Sequence, residues 1–130
     1  MDTYFDLGDY SFPITTHSPE AQTWFDRGVL WTYGYNHEEA VKCFERAIEA
    51  DPKCAMAYWG VGYASGPNYN MPWDLFDDAG RVAAARAGYT NARKALDLID
   101  GVTGWEAALI HALPARYPKT DTLDPKAMKA

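Results

Sequence analysis

Cysteine is nearly missing: Cys43 and Cys54 are the only two in 130 residues. They stand eleven positions apart, which is neither the CxxC spacing of a zinc site nor the density of a disulfide framework. Two reduced, partly buried thiols are the expectation. Long apolar runs are missing as well. Nothing approaches the ~20 residues that a membrane-spanning helix needs, and the opening MDTYFDLGDYSF has no basic region leading into an apolar one. The cytoplasm is therefore the expected compartment, with no membrane partner. Positive charge is scarce: 12 Lys and Arg stand against 18 Asp and Glu, a formal net charge of −6. The basic residues are scattered, not striped, so nucleic acid is not an expected partner. A Gly-rich phosphate loop, a GxSxG elbow and a nucleophile–base motif are also lacking. No cofactor is expected.

No segment sustains the period-two alternation of a half-buried strand. With 48% apolar and 15% aromatic residues, the chain has material for a core, and it reads as all-α with about five helices. Residues 1–17 form an irregular lead-in, including Pro13, whose aromatics are expected against the first helix. Ser18-Pro19-Glu20 then supplies an N-cap, a proline at the first helical position and an acidic group at the positive helix end. That helix carries Trp24, Gly28 and Trp31 and should stop near Gly34. A second helix spans about His37 to Ala50, with Ala40, Val41, Phe44, Ala47 and Ile48 as its apolar stripe. Asp51-Pro52 ends it and opens a third, through Ala57, Tyr58, Val61 and Ala64, closed by Gly66-Pro67. After the loop GPNYNMPWD, a long fourth helix runs from about Leu75 to Ile99, through Val82, Ala85, Tyr89, Ala92 and Leu96. Asp100-Gly101 breaks it. Thr103 and Glu106 make a capping box for a fifth helix, whose apolar residues are Trp105, Leu109, Ala112 and Leu113, and Pro114 kinks or ends it.

Short helices joined by tight turns invite a search for a period. With Pro52 at position 32 of a unit of about 34 residues, Trp24 falls at 4, Gly28 at 8, Trp31 at 11, Ala40 at 20, Phe44 at 24 and Ala47 at 27. This spacing resembles the tetratricopeptide repeat, in which the small residues at 8 and 20 let two helices approach closely. Arg27 departs from the leucine usual at its position. The resemblance implies an antiparallel helix-hairpin solenoid over residues 18–130, with repeats near 21–54 and 55–102 and a partial one over 103–130. In the second unit, Tyr58, Val61 and Gly62 keep the pattern. Its small residue at position 20 is displaced from Asp74 to Gly88, fourteen residues on, with Ala92 and Ala95 following. The second repeat therefore carries an inserted loop. NHEEAVKCFERAIEADPKCAMAYWG followed by GPNYN resembles, more narrowly, the N-terminal part of a longer tetratricopeptide family, and that likeness brings no established activity with it. A solenoid stopped in mid-repeat would leave an apolar face uncovered, so a homo-oligomer through the incomplete third repeat is one expectation.

Three candidate sites follow. In YGYNHEEAVKCF, a histidine stands beside two glutamates, but Asn36 as N-cap and Glu39 three residues on account for most of the cluster as a capping box. The second ligand of an HExxH motif is missing, because Val41 stands there. No metal site is expected; His37, completed by Cys54 or His111, is the alternative. The inserted loop, with Asn68, Tyr69, Asn70 and Trp73, is too aromatic for a disordered linker and forms either a core closure or a pocket wall. Third, the resemblance implies a concave, peptide-holding row: Gln22, Phe25, Val29, Thr32 and Tyr33, then Met56, Trp59 and Tyr63, with His111 in the third unit. That row is aromatic and lacks the Lys and Arg clamp with which some tetratricopeptide domains hold acidic peptide ends. The expected function is a non-catalytic scaffold binding a protein or peptide through this face. The alternatives are a small-ligand binder or enzyme, with His37, Asn68, Asn70 and His111 around a pocket beside residues 66–74, and a homodimer-forming module.

Overall fold

In a computed structural model that describes residues 11–34, 36–65 and 78–116, each helix begins or ends where a side chain or a special backbone angle requires it. The first helix, α1 (Pro19–Tyr33), starts with the Ser18 hydroxyl accepting from the Ala21 N–H at 3.1 Å. The second, α2 (His37–Ala50), starts with Asn36 Oδ1 accepting from the Glu39 N–H at 3.2 Å, while the Asn36 N–H itself donates to Trp31 O. Asp51 caps its far end, and α3 (Ala55–Ser65) follows within one turn. A long helix, α4 (Asp78–Asp97), is followed by a turn in which Gly101 takes a φ of +88°, open to glycine at no steric cost. The last, α5 (Gly104–Ala112), passes into a 3-10 turn at Leu113–Arg116, where Pro114 has no N–H for the next α-helical bond. The described residues hold these five α-helices and no strand, so the fold is all-α. The expected start of α4 near Leu75 and the loop at 66–74 lie outside the described residues.

Helix α2 packs on both α1 and α3, and α3 in turn meets α4 and α5. The hub is thus α3, whose sequence AMAYWGVGYAS buries Ala55, Met56, Ala57, Gly60, Val61, Gly62 and Ala64 on more than one face. Such a helix cannot face water along a whole side and belongs in the middle. At the centre of the first three helices lies Phe44 of α2. A Cβ added to Gly28 of α1 would stand 2.5 Å from the Phe44 ring, and one added to Gly60 of α3 would fall onto the same Cδ1–Cε1 edge of that ring. Phe25 closes the cluster, with its ring centroid 5.5 Å from that of Phe44. A second close approach lies further on. A Cβ at Gly62 would meet Leu113 Cδ2 at 2.9 Å and the Gly88 carbonyl oxygen of α4 at 3.4 Å.

One face is turned from its expected direction. Trp105, Leu109 and Ala112 were the natural apolar stripe of α5, yet Trp105 is 47% exposed and Leu109 38%, and Ala112 is also exposed. The inward stripe is Glu106, Ile110 and Leu113, of which only Leu113 was expected. The cause is Glu106: its carboxylate is held inside by hydrogen bonds, and the residues four and seven positions on must turn inward with it.

Gly60→Ala should lower unfolding free energy by a net of about 1–2 kcal/mol, because crowding the Phe44 ring outweighs the gain in helix propensity. Gly104→Ala, where an added Cβ meets nothing within 4 Å, should be neutral or slightly stabilising. Urea midpoints of the two variants check the difference.

Candidate binding surface

Residues 11–18 precede α1 without helical structure, and their exposure alternates: Phe12, Ile14, Thr16 and Ser18 are half-buried while Ser11, Pro13, Thr15 and His17 are exposed. Proline at 13 favours an extended chain by fixing its own φ and restricting Phe12 before it. This stretch lies along α1 and is held mainly through its backbone. Gln22 brackets it: the side-chain amide donates to Phe12 O at 2.9 Å and accepts from the Ile14 N–H at 3.0 Å. Asp26 Oδ1, one turn further, accepts from the Phe12 N–H at 2.8 Å and from Gln22 Nε2 at 3.0 Å. The Phe12 ring then meets Tyr33 edge-on, with centroids 6.2 Å apart. Gln22, Asp26, Val29 and Tyr33 recur at steps of three and four, so they form one stripe of α1.

Beyond Ile14 the stretch crosses to two other helices. The Thr15 N–H and hydroxyl donate to Glu106 at 2.9 and 2.7 Å, and the Thr16 hydroxyl donates to Asp51 Oδ2 at 2.6 Å. Glu106 also accepts from the N–H and hydroxyl of Thr103, at 3.0 and 2.8 Å. It is fully buried. Burial alone pushes its carboxyl up, but the four hydrogen bonds from Thr15 and Thr103 outweigh that and hold it below its ordinary 4.5. Close by, Cys54 is 1% exposed, and burial pushes its thiol to about 11, with Asp51 and Glu106 adding to the rise. Such a thiol is inert at neutral pH. Cys43 is likewise buried.

The expected site residues fall into three groups. Phe25 is 2% exposed and belongs to the core, as does Met56 at 1%. Both leave the surface row in which the expected register put them: Phe25 packs on Phe44, and Met56 lies in the same core cluster. Tyr33 is 68% exposed and meets the lead-in. Val29 is half-buried against the core, and Thr32 bonds its own helix at Gly28 O. Trp59 and Tyr63 stack with centroids 5.1 Å apart and an interplanar angle of 20°. His111 is exposed in the last turn of α5, and His37 is half-buried at the first position of α2. Among the described residues no group of three His, Cys, Asp or Glu side chains could hold a metal. Asn68, Tyr69, Asn70 and Trp73 lie outside the described residues. Also among these, no helix is long and apolar enough to cross a membrane.

Away from the lead-in, α1 presents a second feature. Trp24 is covered by two guanidinium groups, Arg27 at 4.5 Å and Arg46 of α2 at 4.6 Å from its ring. Glu20, Trp24, Arg46, Glu49 and Ala50 line an open pocket of about 300 Å³ there. Arg27, where the expected pattern has leucine, thus lies over the indole.

Because the Glu106 carboxyl is held below 4.5, its ionised form contributes stability in full above that pH, and the contribution fades as pH falls through the lower folded value. Glu106→Gln should cost about 1–3 kcal/mol at neutral pH by setting an amide NH2 against a donor, and it should make the acid limb of the stability curve shallower. Denaturant midpoints measured from neutral to acid pH read both effects. Neither thiol should react with Ellman's reagent in the native chain at about pH 8, and both should react at once in denaturant.

Compared with protein-family models, curated proteins and solved structures, the chain matches none.

Proposed function

We propose that this chain is a non-catalytic helical-repeat scaffold of the tetratricopeptide kind, which binds an extended segment of a partner protein along the α1 face. The observation that carries the reading is the hold on residues 12–16: Gln22 and Asp26 take the N–H of Phe12, its carbonyl and the N–H of Ile14. Main-chain hydrogen bonds of this kind recognise extension itself, and the spacing of half-buried side chains adds specificity. The repeat register has support in the two close approaches. Gly28 and Ala40, at the small positions of the first unit, are both buried. Gly62 and Gly88, at the corresponding positions of the second once its inserted loop is counted, come close through the Gly88 carbonyl. An aromatic side chain such as Tyr33 beside a backbone clamp suits a peptide partner, since such side chains carry much of the energy of protein interfaces.

Panning a displayed peptide library against the full-length chain should enrich extended sequences with aromatic or β-branched residues two apart. Their binding should fall about tenfold on Gln22→Ala or Tyr33→Ala. A library that yields no binder, or binders indifferent to both substitutions, would sink the reading.

A further inference from the structure

The seat on α1 is already filled, and its occupant belongs to the chain itself. We infer that residues 12–16 are a resident pseudo-ligand, and that a partner's extended peptide of the pattern aromatic–Pro–β-branched–Thr–Thr, neutral or basic in charge, displaces them from the same contacts. The inference rests on the scaffold reading above and names the peptide class for that site.

The pattern follows from what each position meets. The aromatic position reaches Tyr33, and its N–H and C=O are taken by Asp26 and Gln22. The second position points outward, exposed, and needs no N–H, because Gln22 skips from Phe12 O to Ile14 N. Proline is therefore tolerated there and cuts the entropy of ordering the peptide. The third position is half-buried against the core cluster. The fourth must bring donors. Glu106 is fully buried, and Thr15 supplies two of its four hydrogen bonds. A peptide with no hydroxyl there leaves a buried carboxylate short of a donor, which selects against it. At the fifth, Thr16 donates to Asp51. Three carboxylates, from Asp26, Asp51 and Glu106, thus line the seat as acceptors on a chain of net charge −6, so an acidic peptide is disfavoured.

Displacement is feasible because no residue of 11–18 is fully buried, whereas the Phe44 cluster that unites α1, α2 and α3 contains none of them among its buried members. Opening of the segment is a local event below global unfolding. The tether still matters: a segment attached by a short linker competes at an effective concentration on the order of millimolar. A free peptide therefore binds the wild-type chain with its intrinsic affinity scaled down by the small open fraction.

The test uses the full chain and a labelled synthetic peptide, SFPITTHS, corresponding to residues 11–18. In fluorescence anisotropy, the variant Phe12→Gly/Ile14→Gly/Thr15→Gly should bind this peptide at least about tenfold tighter than wild type. Adding Gln22→Ala should remove the binding, and a peptide carrying Thr15→Val should bind about tenfold more weakly. Equal affinity of the folded opened variant and wild type overturns the inference while leaving the scaffold reading to its library-selected binders. Failure of the opened variant to bind SFPITTHS, while those binders still bind it, likewise overturns only the inference. If neither kind of peptide binds, both fall. Should the triple variant not fold, hydrogen exchange on wild type decides: saturating peptide must strip protection from the Phe12, Ile14 and Thr15 amides. Unchanged protection with peptide bound overturns the inference. A dimer of wild type that SFPITTHS dissociates would overturn it in favour of exchange of the segment between two copies.

Discussion

The fold turns on a single aromatic ring placed where two helices have no side chain. Phe44 of α2 lies against Gly28 of α1 and Gly60 of α3, so closely that a methyl group at either position would overlap it. Burying a phenylalanine side chain contributes roughly 1.5–3 kcal/mol from surface removal alone. The larger consequence is geometric. Three helices are drawn around one ring, and the crossing of α1 and α2 is set by the same contact that sets α2 on α3. The stripe of α1 that meets the lead-in has its direction because Phe25 and Gly28 are turned toward that ring.

A second constraint, of opposite chemical character, sets the far end. A fully buried carboxylate costs several kcal/mol in desolvation if left alone. At Glu106 that cost is offset by four donors, two from the start of its own helix and two from Thr15, ninety-one residues away. Hydrogen bonds to a charged group contribute ~1.5–3 kcal/mol each, so the four together are of the size needed. The carboxyl's position below its ordinary value is the same balance expressed as proton affinity. Because the balance needs Thr15, it fastens the lead-in to α5, and it also sets the rotation of α5. Helix rotation here is decided by a charge, and the apolar residues follow.

That is why the sequence was legible in some places and opaque in others. Caps are local, and Ser18, Asn36, Asp51 and Gly101 could be read directly because each acts within a few residues of itself. The apolar stripe of α2 was legible for the same reason, with Cys43 joining Ala40, Phe44 and Ala47 inside. Gly60 gave no signal, since its role is defined by a ring sixteen residues earlier. On α5 the capping residues were legible and the inward face was not. Capping glutamates ordinarily face solvent, and the donor that draws this one inward lies in a segment that reads as an irregular lead-in. Of the expected row, Gln22 and Tyr33 lie at the surface and meet the lead-in. The register also assigned Phe25 and Met56 to the surface. Spacing along a helix gives direction and not depth, and both residues are buried in the core cluster.

Helix α1 therefore carries three chemically distinct stripes, separated by the ~100° step of successive residues. One, with Ala21, Phe25 and Gly28, is fixed by Phe44. A second, with Trp24 and Arg27, is covered by charge, since two guanidinium groups stack on the indole. The third, with Gln22, Asp26 and Tyr33, holds peptide backbone. Gln22 and Trp24 are two residues apart, which turns them about 200° from one another on the helix. The lead-in lies on the stripe that neither the core nor the cations occupy. There its polar groups are held in place before any ligand arrives: Asp26 fixes the Gln22 amide through its own hydrogen bond at 3.0 Å. Preorganisation of this kind lowers the cost of ordering a backbone against the helix, and here it serves the chain's own residues 12–14.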